Sequence, residues 1–585
     1  MKTIVYVIFL ILFLSPVFAN DNSLAFSAMQ TKYISLDLTI ETPIYLSNYG
    51  TNDEFTFKTS IFSSNRTQTA EIEAYYLDDS DNKIFAEIVT ENDNRYAIFK
   101  VKPITRNTYN FYVSGAIVSE NKIVLNNIVY DLTNEISEEA EYKAPSKFIQ
   151  SDSLEIKAIA KHLQTSNDAL ENLVNVTNWV HDYVEYDFDY VPVVNDSKTV
   201  LADGKGVCDE ISILAGAILR AQGYPVKYIV GYANTSQEWG PHAWLEVYIP
   251  NQGWIPVDPT YNEVGFVDSS HIVLEKLKDP VESKDSISST SNINVTFGEK
   301  RDTFIHKETK SYNDYGYGDV VTLSTEFKKD NLSNSPFNAK LNLSNTTPNP
   351  IILLVVTQIN SEFNQIYPKS RKKLYYLKPF ENKSADYFFI LPEVDRAYSF
   401  PFGFIFQFNE YEDNVNVHKD RGIYEELFLT SEPILYFRDN YFYFEQDFYN
   451  YTNKDKNVTF NFNYDGEERN DQKIITSQTE SKYTKRFDIV EDVNFNYLIS
   501  GDYSFSGNTF FYKEEELTPD FLDKQEIDSN FVDVNDYDKL FDKLENKKID
   551  NKSEFNYFIV VLIALFLVFI LFLFISKSLK KQGVQ

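Results

Sequence analysis

Cysteine is almost missing from this chain: Cys208 is the single one in 585 residues. One thiol cannot close an internal disulfide, so covalent stapling is excluded and stability has to come from several buried cores. Positive charge is scarce as well. Lys and Arg number 55 against 86 Asp and Glu, giving a formal net charge of -31. That balance argues against nucleic-acid and other polyanionic partners. Histidine occurs six times. His162 and His181 fall at helical positions with no further histidine or carboxylate at ligand spacing, so both read as packing or surface residues and no metal site is legible.

Long apolar runs are confined to the two ends. Residues 1–19 combine Lys2, an apolar run from Ile4 to Leu14 and small residues before a cleavage point after Ala19, the pattern of a secretory signal peptide. Tyr557 to Ile575 is an unbroken apolar run of 19 residues, about 28 Å as a helix and enough for a bilayer core. The flank KSLKK is basic, which predicts a cytoplasmic tail over 576–585. The expected topology is a cell-membrane protein with a single-pass anchor and its ectodomain outside. Asn-x-Ser/Thr sequons, among them Asn65, Asn195, Asn345 and Asn457, suit an exported glycoprotein surface.

The lone thiol lies in the most informative stretch, Lys205 to Tyr261. Cys208 precedes a helical pattern in which Ile211, Leu214, Ala215, Ile218 and Leu219 form one apolar stripe, ending at Gly223 with Pro225 beyond. The positive end of the helix macrodipole favours a thiolate there. Asp209 and Glu210 oppose it, so the pattern predicts an imidazolium paired with the thiolate. VKYIVGY then reads as a strand. HAWLEVYI alternates, with His242, Trp244, Glu246 and Tyr248 on one face. PNQG is a turn and GWIPVDP the returning strand. That hairpin brings Asp258 to within a residue or two of His242, where a carboxylate can accept the second imidazole N–H and fix the tautomer. A Cys-His-Asp constellation results.

These residues resemble the transglutaminase-like superfamily, whose core is related to papain-type cysteine proteases. The match runs over about 60 residues as Gly206 to Glu210, LRAQGYPVKYIVGY, HAWLEVY and GWIPVDPTY, in family order. The resemblance implies Cys208 as nucleophile, His242 as general base and then acid, and Asp258 as the group orienting His242. It also implies that the aromatic-rich approach to the cysteine lines a cleft, with Trp179 and Tyr186 as candidates to contact the acyl group. The N–H of Cys208 is the oxyanion donor expected from a helix N-terminus. Calcium, used by some animal members, was weighed on Asp187, Asp189, Asp209 and Glu210. Their spacing lacks an oxygen-ligand loop, so they read as solvated acids and no cofactor is expected. Trp239 reads equally as a substrate wall or a packed loop residue, and His271 as structural.

The rest of the chain reads as support. Residues 20–145 are rich in alternating strands with Asn/Asp turns, predicting an Ig-like β-sandwich. Helices follow at SLEIKAIAKHL and, after an Asp168/Glu171 capping box, over Leu170 to Val184, within a catalytic domain spanning 150–280. VESKDSISSTSN reads as a linker. Sandwiches are expected over 285–425 and 430–512, and an acidic stalk over 513–556. The fold class is thus α+β: a transglutaminase-like core flanked by β-sandwiches, with a C-terminal transmembrane helix. The function expected is acyl transfer or hydrolysis at peptide, isopeptide or carboxamide bonds of a cell-surface protein or peptide-containing polymer. Cross-linking and a non-catalytic adhesion role are the alternatives.

Overall fold

Alternating apolar residues over Tyr33 to Ile40 bury every second side chain, and the strand they form, Thr31–Ser47, anchors the first sandwich. The structure is a computed structural model. It describes residues 31–510 except 51, 122–138, 191–193, 236–237, 281–284, 290–292, 299–300, 313–320, 407–408, 420–427, 431–432, 439–440, 465–466, 489–493 and 501–504. The signal peptide, stalk, membrane span and tail expected at the two ends lie outside the described residues. No helix among the described residues is long and apolar enough to cross a membrane.

Strand Thr31–Ser47 pairs antiparallel with Thr108–Glu120 on one side. On its other side it takes Asn294–Phe297 and Arg301–Tyr312, while Ser286–Ser289 pairs with Phe55–Ile61 in the facing sheet. This corrects the expected boundary at 285. The stretch read as a linker and as the start of the second sandwich returns to the first and covers what would otherwise be an open sheet edge. The short strands Ser286–Ser289 and Asn294–Phe297 are mostly exposed, so no alternation of apolar residues marks them.

The next unit begins with helix α1 (Leu154–Leu163), capped by the Ser153 side chain accepting from Ile156 N. Helix α2 (Ala169–Tyr183) is capped by Asp168, which accepts from Leu170 N at 3.0 Å. The reciprocal half of the expected capping box is absent: Glu171 pairs instead with Lys378, and the Asp168 N–H donates to Ser166 Oγ. Helix α3 (Ser197–Asp203) leads to α4 (Cys208–Ala221), which is buried along almost its whole length. The sheet holds β1 (Val226–Thr235), β2 (Glu238–Ile249), β3 (Gly253–Asp258), β4 (Glu263–Val264) and β5 (His271–Leu277), in the spatial order β4-β3-β2-β1-β5. Ala243, Leu245 and Val247 of β2 face α4 across a core shared with Ile211, Leu214 and Ile218.

The second sandwich pairs a sheet containing Val321–Phe327 and Pro336–Asn345 with one containing Ile351–Ile359 and Tyr398–Phe406. In the run IILLVV, Ile351, Leu353 and Val355 fill the sandwich interior, while Ile352 and Leu354 enter the core shared with α4. A strand covered on both faces loses alternation, which is why this one reads as continuously apolar. The third sandwich, with Tyr441–Asn450 and Lys456–Tyr464 in its two sheets, packs its Phe-rich core against Ala158 of α1.

Asn345 needs correction as a glycan acceptor. It is 1% exposed, and its amide donates to Asn349 O (2.7 Å) and Lys378 O (2.9 Å) while its oxygen accepts from Thr347 N (2.9 Å). Asn450 makes the equivalent turn with Thr452 and Lys454 in the third sandwich. A buried amide committed to carbonyls is unavailable to a glycan in the folded chain. The Asn-x-Thr pattern is here an Asx turn.

Candidate active site

Gly206 is required by contact. A Cβ there would stand 2.3 Å from the Glu210 Cβ, which packs back across the first turn of α4. Glu210 Oε2 accepts from Val207 N (3.0 Å) and Oε1 from Asn195 N (2.9 Å), so a buried carboxylate ties the approach loop to the helix start. Asp209 accepts from the Tyr228 hydroxyl, and Asp187 pairs with Lys205 at 3.3 Å. Of the four acids read as solvated, only Asp189 is exposed. The others have separate partners and do not converge on a common point.

These contacts hold Cys208 at the first position of α4, where no carbonyl of a preceding turn can accept its N–H. The Asp209 and Ala243 N–H groups point at its sulfur, and Ser212 Oγ donates to Ala243 O (2.9 Å), pinning helix to strand beside His242. Cys208 is nevertheless 9% exposed, and burial, aided by the Asp209 carboxylate, pushes its pKa up to about 12. That shift runs against the thiolate–imidazolium pair expected from the sequence. Desolvation outweighs a half-charge at a helix end.

His242 and Asp258 meet as the hairpin register predicts. Leu245 opposes Val257, so Asp258 lies two positions from His242, and His242 Nε2 donates to Asp258 Oδ2 at 2.7 Å. Nδ1 is left as the free nitrogen. Tyr261 stacks on the imidazole with centroids 4.9 Å apart, and Trp244 covers its other side at 5.8 Å. Asp258 is fully buried. Its Oδ1 accepts from Thr260 N (2.7 Å) and Tyr261 N (3.0 Å). Burial would raise its pKa, but His242 and His271 overcome that and hold it well below the usual carboxylate range.

His271 is more than a packing residue. Its Nε2 bonds the same Asp258 Oδ2 at 2.9 Å and its Nδ1 bonds Asp268 Oδ1 at 3.1 Å. His181, read as packing or surface, bonds Pro259 O at 3.1 Å and Ser370 Oγ at 2.9 Å, and Asn262 bonds Asn178 at 3.0 Å. The turn after Asp258 is thereby tied to α2 and to the second sandwich. The sequence carried one usable signal for His271: D-S-S-H places an acid three residues before it, ten residues beyond Asp258. Nothing marked His181.

Two sets of side chains bring possible donor atoms within 4.8 Å of one another: His242, Asp258 and His271, and Glu263, Asp268 and His271. Hydrogen bonds engage both nitrogens of His271 within these sets. Of the aromatic candidates, Tyr186 pairs with Gly206 two residues before Cys208 and flanks Phe188. Trp179 instead stacks on Tyr183 at 4.6 Å against the core. Trp239 packs, partly buried, against the first sandwich.

Residues 157–259 match the model of the transglutaminase-like superfamily. The chain carries a transglutaminase-like domain. Three relatives are similar to it. YebA of Bacillus subtilis, of uncharacterised function, is 29% identical over 168 residues, 24% of this chain and 22% of that protein. Rv2569c of Mycobacterium tuberculosis, also uncharacterised, is 31% identical over 124 residues, 18% of this chain and 39% of its own. A protein-glutamine gamma-glutamyltransferase of Pseudomonas aeruginosa is 33% identical over 66 residues, 10% of each chain. The chain thus spans well under half the length of these relatives. Among solved structures, a candidate cysteine protease from Cytophaga hutchinsonii aligns with a TM-score of 0.37 at 16% identity, over 49% of this chain and 93% of that one. Red sea bream transglutaminase aligns with a TM-score of 0.17 at 9% identity, over 79% of this chain and 95% of that one. The transglutaminase-like domain is embedded in a mostly β chain with few helices.

Proposed function

We propose that the chain is a thiol-dependent acyl-transfer enzyme that hydrolyses peptide, isopeptide or carboxamide bonds of a protein or peptide-containing polymer at the cell surface, with export and anchoring supplied by the apolar segments at 1–19 and 557–575. The observation that carries the reading is the 2.7 Å His242–Asp258 hydrogen bond on the strand whose next N–H faces the Cys208 sulfur. Asp258 holds the Nε2–H tautomer, so the Nδ1 lone pair is the base.

His242 Nδ1 takes the thiol proton as sulfur attacks the carbonyl carbon, forming a C–S bond and an oxyanion that the Cys208 N–H meets. Collapse breaks the C–N bond, and His242 returns the proton to the departing amine. Water, deprotonated by His242, then splits the thioester, releases a carboxylic acid and restores the thiol. Hydrolysis is favoured because water is abundant and no residue marks a site for an acceptor amine.

The test offers purified full-length protein quenched peptide amides and glutamine peptides with a primary amine, beside Cys208→Ala. New carboxylic acid termini made by wild type alone support the proposal. A product carrying the amine would make the enzyme a cross-linker. Equal rates in the two proteins would refute enzymatic turnover and leave a surface scaffold.

A further inference from the structure

Asp258 serves two histidines, and only one of them takes part in the proton transfers above. The other, His271, is 3% exposed and lies between Asp258 Oδ2 (2.9 Å) and Asp268 Oδ1 (3.1 Å). Ionised carboxylates only accept hydrogen bonds, so an imidazole that faces one at each nitrogen needs a proton on both. We propose that His271 is a positioning residue: a standing imidazolium, clamped between Asp258 and Asp268, that fixes the Asp258 carboxylate toward His242 and offsets its charge so that His242 remains a neutral base. The proposal rests on the acyl-transfer reading only for its kinetic consequence, because the charge state can be measured without turnover.

Each group around His271 bears on that charge. Asp258 reaches it from the end of β3 and Asp268 from the turn before β5, where Oδ1 also accepts from Ser270 N at 2.8 Å. Glu263 of β4 accepts from Asp268 N at 3.1 Å. Burial and the neighbouring Asp268 raise the Glu263 pKa well above its usual value. From β2, the rings of His242 and Trp244 stand 5.4 and 5.2 Å away, edge to face. Tyr261 stands at 5.1 Å, with Lys372 of the second sandwich over its ring at 5.2 Å. Two carboxylates, Asp258 and Asp268, therefore face the one ring of His271. Burial alone would drive His271 to its neutral form, but its bonds to Asp258 and Asp268 outweigh burial and raise its pKa well above the ordinary value.

Without the fixed cation, the Asp258 carboxylate that His242 bonds would be left uncompensated on its other side. Two unit charges 5.4 Å apart, at an effective dielectric of about 20, perturb one another by roughly two pH units.

The experiment titrates the imidazole signals of isotopically labelled histidine in the full chain by NMR, in wild type, His271→Gln and the charge-restoring His271→Lys, with His242→Gln to assign the signals. The expected result is a His271 ring protonated throughout pH 6–8. The His242 midpoint should move up by about one to two pH units in His271→Gln and back toward wild type in His271→Lys. A His271 ring that is neutral anywhere in that range in wild type overturns the proposal, even if neither variant folds. So does a His242 midpoint unmoved by His271→Gln. The acid limb of kcat/KM should move with the NMR midpoint. If the midpoint moves but wild type shows no turnover on any acyl donor, the acyl-transfer reading fails and the electrostatic role stands.

Discussion

Replacing Asp258 by alanine should remove both activity and a large part of the stability of the catalytic unit. The carboxylate is fully buried and accepts four hydrogen bonds, from His242, His271, Thr260 and Tyr261. Its loss leaves two backbone N–H groups unpaired and the His271 imidazolium with Asp268 alone. Breaking a buried charged pair from one side costs about 3–5 kcal/mol. For a unit of catalytic-domain size, each kcal/mol lowers Tm by about 2–4 °C, so the expected drop is roughly 6–20 °C.

The pH dependence of that drop follows from both partners. Asp258 has its pKa depressed from 3.8, so its contribution is present above that value and is lost as pH falls through the lowered one. His271 has its pKa raised from 6.5, so its contribution is complete below 6.5 and is lost as pH rises through the raised one. The gap between wild type and Asp258→Ala should therefore be widest between about pH 4 and 6.5. Scanning calorimetry of the two proteins at pH 5.5, with Cys208→Ala as the control for a small buried truncation, measures it. A melting point for Asp258→Ala within 2 °C of the Cys208→Ala value would refute the four-acceptor account.

Cys208→Ala should abolish turnover of peptide amides while changing stability by no more than about 1 kcal/mol, read by calorimetry beside the product assay. Alkylation of Cys208 by iodoacetamide should stay slow through pH 8, because burial raises the thiol pKa to about 12; a reactive thiolate titrating below about 8.5 would restore the ion-pair picture. Glu210→Ala should cost about 2–4 kcal/mol by unpairing the Val207 and Asn195 N–H groups, and Glu210→Gln, which keeps one acceptor, should lose less. Asn345→Ala should cost about 1–3 kcal/mol, and intact-mass measurement should find no glycan on Asn345 in the folded protein.

Much of the site was legible because its signals are local. The spacing between Gly206 and Cys208, the helical stripe after Cys208 and the alternation in HAWLEVYI each depend on residues within a few positions of one another. One turn of known chemistry then fixed the register that joins His242 to Asp258. Long-range facts were hidden. The strands at 286–312 were obscured by polar composition, and their partner strands lie more than 220 residues earlier. The Asn-x-Thr of Asn345 reads as a sequon until its burial is known.

The sequence by itself determined where the candidate thiol, histidine and carboxylate stand, since periodicity and turn residues dictate which side chains a helix or hairpin presents. Tertiary structure alone decided their burial and their company. Burial raised the Cys208 pKa against the pull of its helix. The folding of β5 onto β1 brought His271 and Asp268 behind Asp258, giving one carboxylate two histidines. Desolvation and charge proximity depend on what packs around a group, and that is set by segments distant in the chain.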